Sequence, residues 1–139
     1  EERMLPVQIN LWGVAAATAF AMIVGALWYS DLLFAKQWMK LIGRTPEDLQ
    51  KDGGQMYLLT ALCWLLAAYI LAHAVQYVAA DTWVEGGVTG FWAWTGFVFT
   101  TNLIHGLFEG KSKKLMALNL GYTLVGFIGM GIILVLLPD

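Results

Sequence analysis

Four polar side chains recur along one otherwise apolar segment and could do acid–base or ligand chemistry. They follow one another at spacings of seven, three and four residues: Thr95, Asn102, His105 and Glu109. In a continuous α-helix these spacings place all four on one face, which we expect to point into a helix bundle. His105 and Glu109 lie one turn apart and are the pair that could bind a proton or a ligand.

A second polar stretch follows in the next apolar segment, where Asn119 and Tyr122 share a helix face, and Tyr29 ends the first apolar segment. The candidate intramembrane cluster is therefore Tyr29, Asn102, His105, Glu109, Asn119 and Tyr122. Two interpretations stay open. The cluster either stabilises packing or binds a lipid or small ligand, or it serves a channel or carrier for protons, ions or a small solute that uses His105 and Glu109.

Other chemistries lack the residues that they need. His, Cys and carboxylate side chains do not occur together at metal-ligand spacing, no Ser or Cys nucleophile lies beside a His on one helix, and no glycine-rich phosphate loop is present. We therefore expect no metal, no cofactor and no catalytic residue, and a protein that is not an enzyme.

The elements that must position these residues follow from the composition. The 139 residues are 59% hydrophobic and only 13% charged, well beyond the soluble norm. The apolar residues form four runs, at about 9–34, 56–78, 87–108 and 115–137, and about 20 such residues span a bilayer as a helix. Since the runs lack the alternation of barrel strands, the sequence predicts an all-α polytopic membrane protein, a single bundle of four transmembrane helices over residues 1–139.

The connection between the first two runs carries a structure of its own. Apolar residues from Trp38 to Ile42 alternate with Lys36, Lys40 and Arg44, which predicts a short helical segment lying in the membrane interface. The sequence Thr45-Pro46-Glu47-Asp48 then predicts a capped helix start.

Basic residues are confined to two connections, apart from Arg3 near the start of the chain. Residues 35–55 contain four of the eight and residues 109–114 contain three, whereas residues 79–86 contain none. The positive-inside rule places the two basic connections in the cytoplasm and both termini and the 79–86 loop outside. Membrane lipid is an expected partner and nucleic acid is not.

Small residues form a stripe on the first helix, at Gly13, Ala17, Ala21 and Gly25. Such a stripe lets another helix approach closely, and that helix belongs either to this chain or to a second copy. The leading hypothesis is a non-enzymatic, self-associating membrane module. A further alternative is an accessory subunit of a larger complex, bound to a membrane protein partner through helix one or the segment from Trp38 to Lys51.

Several short motifs resemble one known family across nearly the whole chain. They are Gly25-Ala26-Leu27-Trp28-Tyr29-Ser30, Leu33-Phe34-Ala35-Lys36-Gln37-Trp38-Met39, Trp94-Thr95-Gly96-Phe97, Phe108-Glu109-Gly110-Lys111 and Asn119-Leu120-Gly121-Tyr122. In order and spacing they are similar to the bacterial membrane family named domain of unknown function 1761, although Asp31 stands where that family usually has proline. The resemblance implies a small four-helix protein of the bacterial cytoplasmic membrane and implies no activity.

Overall fold

Helices account for nearly all of the chain in the computed structural model, which describes residues 7–51 and 53–137. About 82% of the described residues are helical and none of them lies in a strand, which confirms the all-α prediction. In chain order the elements are α1 (Leu11–Trp28), α2 (Ala35–Ile42), α3 (Pro46–Gln50), α4 (Gly53–Tyr77), α5 (Trp83–Ala93), a π-helical segment (Trp94–Phe99), α6 (Thr100–Glu109) and α7 (Lys113–Leu136).

Among the described residues, three helices are long and apolar enough to cross a membrane, which indicates a membrane protein. These are α1, α4 and α7, with mean hydropathies of 1.8, 2.0 and 1.9. The third predicted span lies within residues 83–109, which are helical throughout but are divided into α5, the π segment and α6. None of these three pieces reaches spanning length alone.

The helix ends follow local sequence signals. Asn10 accepts a hydrogen bond from the backbone N–H of Trp12 at the start of α1. Capping boxes start α3 at Thr45, as its turn signal predicted, and α5 at Thr82. The first predicted run extended to residue 34, but α1 ends at Trp28 because the chain turns before α2 begins at Ala35.

Helix α7 is the common partner of the bundle, because α1, α4, α5 and α6 all pack against it. Its Met130 and Leu134 meet α1 and α4 in the buried core, whose other members are Val14, Ala17, Ala21, Trp64, Ala68, Leu71, Ala72 and Val75. Three residues of the predicted small-residue stripe, Gly13, Ala17 and Ala21, are buried within this chain, and Gly25 lies beside Tyr122. The stripe therefore packs against helices of the same molecule.

The closest approach of two backbones is between α5 and α7. A Cβ atom placed on Gly90 would collide with the carbonyl oxygen of Phe127, and one placed on Gly131 would collide with that of Gly86. Because lipid offers no hydrophobic drive for helices to associate, such contact supplies the dispersion energy that joins them. The glycines thus set the separation of α5 and α7.

Replacing Gly90 by alanine should therefore weaken the bundle. We expect the free energy of unfolding in detergent micelles to fall by about 1–3 kcal/mol, since the new methyl group forces the two backbones apart. Gly96→Ala is the matched control, because a Cβ atom at Gly96 meets nothing within 4 Å. Equal stability of the two variants would contradict this account of the α5–α7 contact.

Candidate functional site

Three of the six predicted cluster residues meet at one end of the bundle. The Tyr29 hydroxyl donates to Oδ1 of Asn119 at 2.7 Å. One turn along α7, the Tyr122 hydroxyl accepts a hydrogen bond from Nε1 of Trp64, also at 2.7 Å. The rings of Tyr29 and Tyr122 meet edge to face with centroids 5.3 Å apart. We call these four residues the tyrosine network; it joins α4, α7 and the end of α1.

Small residues make room for the network. A Cβ atom on Gly25 would lie 2.7 Å from the Tyr122 hydroxyl, and one on Gly126 would lie 2.9 Å from the Trp64 ring. Any larger residue at either place would displace an aromatic ring that makes a hydrogen bond. The last small residue of the stripe on α1 is therefore tied to the position of Tyr122.

A cavity of about 330 Å³ lies beside the tyrosine network, between α1, α4, α7 and the segment formed by α2 and α3. We call it the tyrosine pocket. Its volume is at the lower end of the range for small-molecule sites. Among the residues that the structure describes, none of those lining it is charged; they are Met22, Gly25, Ala26, Tyr29, Trp38, Leu49, Gly53, Met56, Tyr57, Thr60 and Tyr122.

The segment between α1 and α4 covers one side of the pocket. Trp38 of α2 packs on Tyr29 with ring centroids 4.7 Å apart, and Leu49 comes from α3. The backbone N–H of Thr45 donates to the Asp48 carboxylate, which lowers the pKa of that carboxyl below its ordinary value. Asp48 is therefore ionised at neutral pH and maintains the cap that starts α3.

The other three predicted residues do not join the network. Asn102 and His105 are exposed on α6, and Glu109 at its end forms an exposed ion pair with Lys111 at 3.3 Å. Exposed ion pairs of this kind contribute little to stability. In the single chain the polar face of α6 thus points outward, contrary to the expectation from its spacing.

The π segment explains this difference. In a continuous α-helix His105, eleven residues after the buried Trp94, would lie on nearly the same face as Trp94. The π segment accommodates one extra residue per turn, which rotates α6 by about 100° relative to α5. The buried position consequently falls on Gly106, which packs against Met116 of α7.

Polar side chains of α6 instead support the π segment. Thr100, Thr101 and Asn102 each donate to a backbone carbonyl four residues earlier, and these carbonyls belong to Gly96, Phe97 and Val98. In hydrocarbon every backbone polar group needs a partner within the protein, and hydroxyl and amide side chains supply one where the helix is distorted. The side-chain amide of Asn102 is thus hydrogen-bonded within its own helical run.

The family model described as protein of unknown function (DUF1761) matches residues 12–135. The chain belongs to the DUF1761 family. Neither the curated proteins nor the solved structures include a match.

Three of the segments on which the family resemblance rests take part in contacts between α7 and the other helices of this DUF1761 protein, namely residues 25–30, 94–97 and 119–122. Besides the tyrosine network, Nε1 of Trp28 donates to the carbonyl of Leu118 at 3.0 Å. Nε1 of Trp94 donates to the hydroxyl of Thr123 at 2.9 Å. The motif residues thus act chiefly in contacts between helices.

Two residues in these contacts between helices, Trp64 and Thr123, were not predicted from the sequence. Trp64 lies in an apolar run where nothing distinguishes it from a lipid-facing residue, and Thr123 follows the more conspicuous Tyr122. The usable signal is the pairing of a large aromatic residue with a small one on another helix, as Trp64 pairs with Gly126. Within residues 7–51 and 53–137, no three His, Cys, Asp or Glu side chains lie close enough together to bind a metal ion.

The hydrogen bond between Tyr29 and Asn119 should be measurable as a coupling energy. In a double-mutant cycle of Tyr29→Phe and Asn119→Leu we expect about 0.6–1.7 kcal/mol of coupling in the free energy of unfolding. A cycle of Tyr29→Phe with Thr123→Val should give none, because the Thr123 hydroxyl bonds Trp94 instead. Additive effects in both cycles would contradict the network.

His105 should be dispensable for the stability of the single chain. We expect His105→Leu to change the free energy of unfolding by less than about 0.5 kcal/mol, because its side chain is exposed. Gly106→Leu should cost about 1–3 kcal/mol, because the new side chain enters the contact with Met116. The reverse order of the two losses, measured in monodisperse micelles, would show that α6 is rotated from the position described.

Proposed function

We propose that this protein is a non-enzymatic membrane module of four transmembrane helices that binds a small neutral amphiphile in the tyrosine pocket. The fourth span is the helical run of residues 83–109, which at the α-helical rise is about 40 Å long and exceeds the hydrocarbon thickness. A hydrogen bond from Asn10 to the carbonyl of Leu137 joins the start of α1 to the end of α7. An even number of spans likewise brings the two ends of the chain to the same side of the membrane.

The orientation of the proposed module follows from its lysines. Lys40 of α2 and Lys114 of α7 line one cavity, so the two basic connections lie at the same end of the bundle. Glu85 lies at the opposite end, where α5 begins beside the last turns of α7. The positive-inside rule then places the tyrosine pocket on the cytoplasmic side of a bacterial cytoplasmic membrane.

The observation that carries the proposal is the unused hydrogen-bonding capacity in the pocket. The Tyr122 hydroxyl accepts from Trp64, so its own O–H remains available to donate. The Thr60 hydroxyl donates to the carbonyl of Met56 and keeps lone pairs that can accept. A ligand could therefore meet both a donor and an acceptor inside a mainly apolar cavity.

The lining also limits the class of ligand. The described lining residues carry no charge, so they would leave an ionised ligand without a counter-charge, which is costly in a medium of low polarity. Tyr29, Trp38, Tyr57 and Tyr122 offer aromatic surface to an apolar body. The ligand is accordingly a neutral molecule with an apolar part, a carbonyl or ether oxygen and one donor group.

Self-association is a second part of the proposal, and the exposed residues favour α6 rather than α1 as the contact surface between copies. The small-residue stripe of α1 is already used within the chain, whereas Phe108 is 91% exposed beside the exposed His105. Polar groups facing lipid are costly, so a second copy covering this face would gain interhelical hydrogen bonds. A proton or ion path through His105 and Glu109 would then run between copies.

Ligand binding is tested on the full chain extracted with its own lipid and read by native mass spectrometry. We expect the wild type to retain a neutral compound, and Tyr122→Phe to retain it roughly tenfold less well, because one hydrogen bond is lost while the ring remains. Thr123→Val is the control, since it removes a comparable Trp-to-hydroxyl bond outside the pocket. A wild type without a bound compound, or equal loss in both variants, would contradict the proposal.

A further inference from the structure

A second cavity lies on the other side of α2, and it combines an apolar surface with two lysines. It measures about 780 Å³ and lies between α2 and the first turns of α7. We call it the lysine groove. It is lined by Trp28, Phe34, Gln37, Lys40, Leu41, Lys114, Ala117 and Leu118.

The apolar wall of the lysine groove is fixed before any ligand arrives. Trp28 is anchored by its hydrogen bond to the carbonyl of Leu118, and its ring packs on Phe34 with centroids 5.0 Å apart. A Cβ atom at Gly121 would lie 2.9 Å from the Trp28 ring, so that ring sits directly on α7. A preformed wall lowers the ordering cost of binding.

The polar part of the groove is cationic. Lys40 lies in the last turn of α2 and Lys114 in the first turn of α7, and both are exposed. In the part of the chain that the structure describes, no carboxylate lines the groove and neither lysine has an ion-pair partner within 4 Å. The uncompensated charge therefore favours an anion.

The surroundings indicate what kind of anion. Helix α2 is amphipathic, with Ala35 buried and Lys36, Gln37 and Lys40 exposed, as expected for a helix in the membrane interface. Leu32 and Leu33, just before α2, are 82% and 54% exposed, which suits contact with acyl chains. A molecule that satisfies both parts of the groove must carry an anionic head and a long apolar chain.

We propose that the lysine groove binds one anionic phospholipid. Its phosphate lies between the ammonium groups of Lys40 and Lys114, Gln37 donates to a head-group oxygen, and an acyl chain lies along Phe34, Leu41 and Leu118. The lipid thereby joins the interfacial helix α2 to α7. This inference uses the proposed membrane orientation, but it involves a different cavity from the tyrosine pocket and does not depend on a ligand there.

The test adds one lipid at a time to the delipidated full chain in micelles and counts bound molecules by native mass spectrometry. The probes are phosphatidylglycerol and phosphatidylcholine with the same palmitoyl and oleoyl chains. We expect one phosphatidylglycerol per chain and binding of phosphatidylcholine at least roughly tenfold weaker. The double variant K40Q/K114Q should lose roughly tenfold or more in affinity for phosphatidylglycerol, because two charge-assisted contacts are removed.

The double variant K36Q/K113Q is the matched control, because it removes the same charge from the same two connections but leaves the groove intact. It should bind phosphatidylglycerol like the wild type. Equal losses in the two double variants would overturn the proposal in favour of general surface attraction. Ala117→Phe, which fills the groove without changing its charge, should also reduce phosphatidylglycerol binding.

Two further results would show what binds in the lysine groove. Unchanged binding by Ala117→Phe, with its helical circular dichroism intact, would overturn the position of the acyl chain. Displacement of phosphatidylglycerol by millimolar inorganic phosphate would identify the groove as a site for a soluble anion rather than for a lipid. Because none of these variants touches Tyr122 or Thr60, failure here leaves the test of the tyrosine pocket unaffected.

Discussion

Every other long helix of this protein packs against α7, and the arrangement depends on how closely each can approach it. In a membrane, helix association relies on packing and hydrogen bonds, because apolar side chains gain little by leaving lipid. Helix α7 meets this requirement with small residues that face different neighbours. Gly131 admits the backbone of α5, Gly126 accepts the ring of Trp64 from α4, and Gly121 accepts the ring of Trp28 from α1.

The candidate sites are by-products of the same arrangement. Once Trp28 and Trp64 lie on α7, their indole N–H groups find partners at Leu118 and Tyr122, and Tyr29 reaches Asn119. These bonds order one end of the bundle, where the chain also folds back through α2 and α3. The tyrosine pocket and the lysine groove are the spaces that remain on the two sides of α2. Residues that hold the helices together therefore also line the two cavities.

How much the sequence could predict depends on the range of the determining interaction. The apolar runs predicted α1, α4 and α7 because spanning length is a local property, and Thr45 predicted the start of α3. The contact among Tyr29, Asn119 and Tyr122 could also be predicted, since the direction and depth of each helix follow from the loops. The outward position of His105 could not be predicted, because it depends on one extra residue within Trp94–Phe99, which hydropathy does not reveal. Trp64 was missed because its partner is on another helix.

The π segment has a consequence for how this family can diverge. A single codon lost between positions 94 and 99 would restore a continuous α-helix without turning the residues downstream, because the present Gly106 would then be the eleventh residue after Trp94. Helix α5 would keep its contacts with α7, and Gly106 would keep its place against Met116. The extra residue is thus absorbed where it stands, so family members with and without it can present the same face of α6 to α7 from sequences that differ in length by one. His105 would turn into the interface only if the π turn were lost with no residue removed.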